Sequence, residues 1–447
     1  MRFRILSAAL FTLLGLAIPV QGKNLTQIEQ VLSLKQAVVT ALKNNPGLAQ
    51  QVNAVETAGV IVSQQQTNLY PNLMLEASGS EPFDKSTADT IVGVKLSSSV
   101  NLFNGFADIA ALKKAELLLE AELESLSQEE QTLVFETVSQ FIQILTAQEL
   151  IGVEETNLKE NCKLLERIEK FYLAGKLPIS DLYQQQAETK QAELDLLQAQ
   201  HALSASKLSL MQTIGVPPTA NYQVTSPDFE KLSLQIPAGD TGELALLALA
   251  NRSDIKAQER QVEAAQQQIR QTLAGRLPQV DLFASLATAY DGLSEESNFS
   301  EQFMDENINS IVGLTFSIPL FDRFLTRNEI AKAQIEKRNE QLTLKEKQLQ
   351  VGLQIAEAIQ DFQKTQKQID VVESKLTYAS QALKSYEERY QVGASTLVEL
   401  VRARTQYMTA AFDRIQAKYD LVTQKVSVAY YLGDLDQMFM ALSVEKN

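Results

Sequence analysis

"RYQVGASTLVELVRA", residues Arg389 to Ala403, breaks a long polar, helix-favouring run with Gly393 and a Ser-Thr pair. An earlier phrase, "KFYLAGKLPISDLYQ" (Lys170 to Gln184), carries the same break. Gly175 and Gly393 are 218 residues apart, as are Tyr172 and Tyr390, and Asp181 and Glu399. A glycine closing one helix and a Ser, Thr or Asp opening the next is the chemistry of a hairpin between helices.

Working outward, the whole chain doubles. "ALKNNPGLAQ" from Ala41 answers "ALANRSDIKA" from Ala248, and Pro71 answers Pro278, both at an offset of 207. "TIVGVKL" (Thr90 to Leu96) answers "SIVGLTF" (Ser310 to Phe316), with Gly93 and Gly313 220 apart. From there the offset holds at 218, relating Phe103 to Phe321, Phe106 to Phe324, Ala115 to Ala333 and Gly215 to Gly433. Long paired helices impose such constancy, because one inserted residue rotates every later side chain by about 100°.

Each unit reads helix, strand, loop, strand, long helix, turn, helix. From Asn104 to Tyr172 there is no proline, and Leu112, Leu119, Leu126 and Leu133, then Leu158, Leu165 and Tyr172, recur at steps of seven. Ile335, Leu342, Leu349 and Ala356 repeat the pattern. Such heptads predict coiled-coil packing, and a helix of that length runs on the order of 100 Å. The expected class is mainly α with a small β part. Its divisions are a signal peptide (1–22), a first repeat (23–215), a linker or equatorial segment (216–240), a second repeat (241–433) and a tail (434–447). The strand pairs fall at about 70–102 and 278–320, and the helical hairpins at 104–215 and 322–433.

Val280, Leu282, Ala284 and Leu286 alternate with Gln279, Asp281, Phe283 and Ser285, and Val312 to Leu320 alternates likewise. One apolar and one polar face over about ten residues is the pattern of a transmembrane β-strand; strand by strand it also fits a soluble sandwich. Four strands cannot close a barrel, and lipid does not tolerate an open edge, so closure needs several copies. Phe103, Phe106, Phe321 and Phe324, where strand gives way to helix, are placed for an interfacial girdle. The outer loops are Glu81 to Asp89 and Ala289 to Asn309, the second with six acidic residues and no basic one.

Composition narrows the function. "MRFRILSAALFTLLGLAIPVQG" has the basic start and apolar core of a secretory signal, and Lys23 follows it rather than a cysteine that could take a lipid. Without Arg2 and Arg4, 38 basic residues face 55 acidic ones, a net charge near −17 that disfavours nucleic acid. Cys162 and His201 are the sole cysteine and histidine, so a zinc site or Cys-His nucleophile cannot be built in one chain. No phosphate-cradling glycine motif is present. We expect no catalytic residues, cofactor or metal. His201, on one helical track with Ala187, Leu194 and Leu208, reads as an interface spacer.

The doubled "N-N-P"/"N-R-S" start, the Pro71 and Pro278 strand entries, "SVNLFNGF" and "SIPLFDRF", and the two glycine tips resemble the outer-membrane efflux proteins, the TolC-like channels of Gram-negative envelopes, over essentially the whole mature chain. The resemblance implies a homotrimer whose twelve-stranded β-barrel crosses the outer membrane and continues as an α-helical barrel through the periplasm. It implies an exit duct for efflux or type I secretion, working with a periplasmic adaptor at the helical tips and an inner-membrane transporter. It also implies a gate at the hairpin tips: turn glycines Gly175 and Gly393, a contact from Tyr390 to Asp181 beside Ser180, and an acidic constriction at Glu399. The family's second acid is replaced here by Arg402 and its gate arginine by Ser395. The competing expectation is a periplasmic coiled-coil scaffold with no channel.

Overall fold

The computed structural model describes residues 30–80, 91–218, 222–225, 240–291 and 298–435. The signal peptide, the loop 81–89, most of the linker and the tail beyond 435 lie outside the described residues.

Each repeat opens on two short helices rather than one. Ser33 caps α1 (Leu34–Asn44) reciprocally with Gln36, and Asn45 then caps α2 (Pro46–Thr67), accepting from the Leu48 N–H at 3.0 Å. Pro46, which has no N–H to give, is tolerated at the first helical position and ends the helix before it. In the second repeat no proline marks the break between α5 (Thr241–Asn251) and α6 (Ser253–Leu273). There the buried Arg252 holds the corner, clamping Asp254 at 2.9 and 2.7 Å and donating to Gln354 at 2.7 Å.

Two long hairpins follow: α3 (Ala107–Leu173) with α4 (Ile179–Thr213), and α8 (Leu325–Gln391) with α9 (Leu397–Tyr431). Four antiparallel strands lie in the order β2 (Met74–Ser80), β3 (Ile91–Phe103), β5 (Gln279–Asp291) and β6 (Asn309–Ser317). Each follows or leads into a helix, and those helices pack side by side in the matching order α2, α3, α6, α8. The chain is therefore one wall, helical below and stranded above. Its two lateral edges are β2 with α2 and β6 with α8.

Register sorts the sheet faces. Leu75, Leu96 and Leu286 share one cross-strand row, and Val100, Leu282 and Leu314 another, on a continuous apolar face. The opposite face carries Glu76 beside Lys95, and Asn101, which donates to Asp281 at 2.8 Å. β6 stops at Ser317, short of the reading to 320, because Pro319 cannot donate to a ladder.

The heptad residues divide between core and surface: Leu133 is buried with Leu126 packed beside it, and Leu165 and Tyr172 pack beneath the tip. The upper part of α3 buries Ala110, Ala111, Ala115, Leu117 and Ala121, and α6 buries Ile255, Ala257 and Ala264, and the many small side chains let neighbouring helix axes approach closely. The stripe of α8 instead faces solvent, with Leu342 and Leu349 about two-thirds exposed.

Two larger cores sit at mid-height. In one, Val38, Phe141, Ile144 and Ile214 are fully buried under a parallel pair that the sequence does not announce, β1 (Gln30–Leu32) with β4 (Tyr222–Val224). Burying Phe141 alone contributes roughly 1.5–3 kcal/mol. The other gathers Ala248, Ile255, Val351, Ile355 and Val428. Each core is locked where a left-handed glycine, Gly215 or Gly433, meets the corner of the paired short helices.

Candidate functional site

The hairpin tips are built by matching backbone chemistry. At the first, the Gly175 N–H donates to Tyr172 O at 2.8 Å and the Lys176 N–H to Phe171 O at 2.9 Å. At the second, Gly393 donates to Tyr390 O at 3.1 Å and Ala394 to Arg389 O at 2.8 Å. Closing a helix with this bond pair requires a left-handed residue, and both glycines supply it, with φ of 69° and 76°. The Arg389 guanidinium donates to Ala394 O at 3.3 Å, adding a side-chain cap that the first tip lacks.

Beneath the tips, Leu164, Ile168 and Leu182 of the first hairpin pack on Leu397 and Leu400 of the second. Tyr390 lies against this cluster with its hydroxyl buried and without a hydrogen-bond partner. Burial, then the Asp181 charge, push the phenol above its ordinary value, with Arg167 opposing. Asp181 accepts instead from Ser180 Oγ at 3.3 Å. The structure thus brings Tyr390 and Asp181 together without bonding them.

Glu399 is committed to its own helix. Its Oε2 accepts from Thr396 N at 2.9 Å, Thr396 Oγ1 at 3.1 Å and Ser395 Oγ at 2.8 Å, while its N–H donates back to Thr396 Oγ1 at 3.3 Å. This reciprocal cap, led by the Thr396 N–H, holds its carboxyl below the usual range. Ser395 thereby serves the cap, and Arg402 lies exposed one turn on.

A polar layer that the sequence reading passed over joins the hairpins a few turns higher. Gln185 is fully buried and donates to Asn161 Oδ1 at 3.0 Å, leaving its own Oε1 without a partner. Arg404 reaches Asn161 Oδ1 and Glu387 Oε1, each at 3.4 Å. Glu154, also buried, has its carboxyl pushed up by burial and by Asp195, with Asn157 opposing. Glu154, Asn161 and Arg404 border a cavity of about 230 Å³ between α3, α4 and α9. The available signal was Glu154 and Asn161, polar residues at steps of seven on the track of Ile168. His201 is exposed on α4, whereas its counterpart Tyr419 is buried and donates to Glu149 at 2.7 Å.

The strand–helix junctions are the second repeated feature. Gly105 and Phe106, and Arg323 and Phe324, all have left-handed backbone. Asn104 accepts from the Asp108 N–H at 3.4 Å, and Asp322 from the Thr326 N–H at 2.8 Å. Phe103 and Phe106 meet edge to face at 5.2 Å, Phe321 and Phe324 at 5.6 Å. "LFNGF" and "LFDRF" thus encode one corner, turning strand into helix and presenting an exposed aromatic ring.

Among the described residues no helix is long and apolar enough to cross a membrane, and no three His, Cys, Asp or Glu side chains gather to hold a metal.

Comparison with known proteins bears on the whole arrangement. The family model described as "Outer membrane efflux protein" matches residues 37–216 and 244–434. Outer membrane protein TolC of Escherichia coli (strain K12) is 22% identical over 434 residues, covering 95% of this chain and 87% of TolC. Protein CyaE of Bordetella pertussis is 25% identical over 415 residues, 90% of this chain and 84% of CyaE. A crystal structure of CusC superposes with a TM-score of 0.79 at 20% identity, covering 90% of this chain and 92% of that one.

Proposed function

The chain belongs to the outer membrane efflux protein family, and we propose that it is the passive exit duct of a tripartite efflux or type I secretion system. It is an outer-membrane channel protein that extends into the periplasm. The observation that carries the duct is the shared lateral order of strands and helices with both edges unsatisfied. In lipid the unpaired edges of β2 and β6 must find partners, and the exposed apolar faces of α2 and α8 adjoin them. Joining β6 and α8 of one copy to β2 and α2 of the next satisfies both at once. Three copies give a twelve-stranded barrel of Leu- and Val-faced strands continued by twelve helices.

The tips are the gate in this reading. Gly175 and Gly393 shape them, Tyr390, Asp181 and Ser180 link the hairpins, and Ser395, Glu399 and Arg402 line the mouth that meets a periplasmic adaptor. Phe103, Phe106, Phe321 and Phe324 mark the membrane boundary. An inner-membrane transporter supplies the energy, and the duct itself performs no catalysis. Single-channel recording on the purified mature protein tests this. Stepwise conductance in planar bilayers is expected; a protein that stays in solution without detergent and conducts nothing would be the scaffold instead.

A further inference from the structure

A groove of about 490 Å³ runs between the start of α3 and the end of α6, just below the sheet. We propose that it binds one anionic glycerophospholipid from the membrane leaflet facing the helices; this rests on the outer-membrane reading above. Phe106, at the head of α3, lies on one side with Ile109 and Lys113, and Leu273 and Arg270 at the end of α6, with Leu277 just beyond it, line the facing side. Both helices therefore run from apolar to basic with distance from the sheet. Seven residues of helix place the cations roughly 10 Å below the Phe106–Leu277 end. Headgroup regions add about 10–15 Å to a hydrocarbon core of about 30 Å, or about 5–7 Å on each side, and the long flexible stems of Lys113 and Arg270 let their charges reach back to that depth.

The groove opens on the lipid-facing side. Phe103 sits opposite Val280 in register, on the face of Leu282 and Leu286, and its ring meets Phe106 edge to face. Both cations are exposed and lightly engaged: Lys113 pairs with Glu116 at 3.1 Å, and Arg270 donates to Gln267 at 3.3 Å. The duplication does not account for the pattern. The residues equivalent to Ile109, Lys113, Arg270 and Leu273 in the other repeat are Arg327, Ala331, Ser63 and Gln66, so neither the apolar floor nor the paired cations recur.

Native mass spectrometry of the detergent-purified full-length mature protein, titrated with dioleoylphosphatidylglycerol or dioleoylphosphatidylcholine, tests the site. Phosphatidylglycerol is expected to be retained at roughly tenfold lower concentration, in keeping with two cations near an anionic surface. The Lys113→Glu, Arg270→Glu variant should erase that preference. Ile109→Gln with Leu273→Gln should weaken retention of both lipids. Equal retention of the two lipids, a preference that survives the charge reversal, or displacement by millimolar inorganic phosphate would overturn it. Conductance is recorded on the same preparations. A conducting wild type without the preference removes the lipid site alone, and a non-conducting wild type removes the channel reading and the site with it.

Discussion

Gly105 and Arg323 stand at the same point of the duplicated corner with the same left-handed backbone, φ 68° and 57°, one without a side chain and the other with a long one. The reason is local space. A Cβ on Gly105 would lie 2.8 Å from Leu277 Cβ and 2.9 Å from Ala274 O. Gly105→Ala should therefore cost about 2–4 kcal/mol, combining a clash with left-handed strain. Arg323→Gly should stay within ~1 kcal/mol, since relief of strain is offset by a more flexible unfolded chain. Thermal denaturation of the two variants, side by side, checks the asymmetry.

The second tip should loosen in acid. The Glu399 carboxyl is held below its ordinary value in the folded protein, so its contribution is fully present above the unfolded value of about 4.3. That contribution falls away as pH drops through the lower folded value. Amide hydrogen exchange at 396–399 should accelerate over that window and be insensitive to pH between 6 and 8, once corrected for intrinsic rates. Thr396→Ala should cost about 1 kcal/mol, the usual loss for a helix N-cap.

Tyr390 separates fold from gate. Its hydroxyl is buried without a partner, so Tyr390→Phe should change stability by less than about 0.5 kcal/mol or raise it slightly. Combined with Asp181→Ala, it should increase conductance and antibiotic entry if these residues hold the mouth closed. Unchanged conductance would remove them from the gate.

Asn161 is the centre of the buried polar layer. Asn161→Ala leaves the Gln185 amide only the Asn161 backbone carbonyl, at 3.3 Å, and should cost about 1–2 kcal/mol, read from the shift of a denaturation midpoint. Gln185→Leu should cost less, because its Oε1 is already without a partner.

Glu154 should respond in the opposite sense to Glu399. Its folded value is raised, so the native state binds the proton more tightly, and its charge weakens the fold above the unfolded value of about 4.3. Glu154→Gln should raise the melting temperature at pH 7, with the gain vanishing below pH 4.

The periodic features were legible in advance: two hairpins, two glycine tips, four alternating strands and the constant offset that joins them. Backbone chemistry at Gly175 and Gly393 is local, and local signals survive in a sequence. What escaped was set by neighbours distant in the chain. The β1–β4 pair joins segments nearly two hundred residues apart, and only three residues long each, too short to show a period. The packing of α3 and α6 is rich in alanine, which carries little pattern, while the leucines of the α8 stripe face outward. Asn161, Gln185 and Arg404 look like solvent-facing helix residues until three helices close over them. Glu399, expected at the mouth from the resemblance, also caps α9, because Ser395 and Thr396 sit within its reach.

In the proposed ring of three, the edge pairing of strand and helix also fixes how copies add together. A first contact between two copies completes one seam and leaves an open strand edge at each end of the pair. The third copy completes two seams in a single encounter, gaining twice the contact for one loss of translational freedom. Intermediates of two chains should therefore be scarce, and ring closure should act as a ratchet that commits newly delivered subunits to the finished duct.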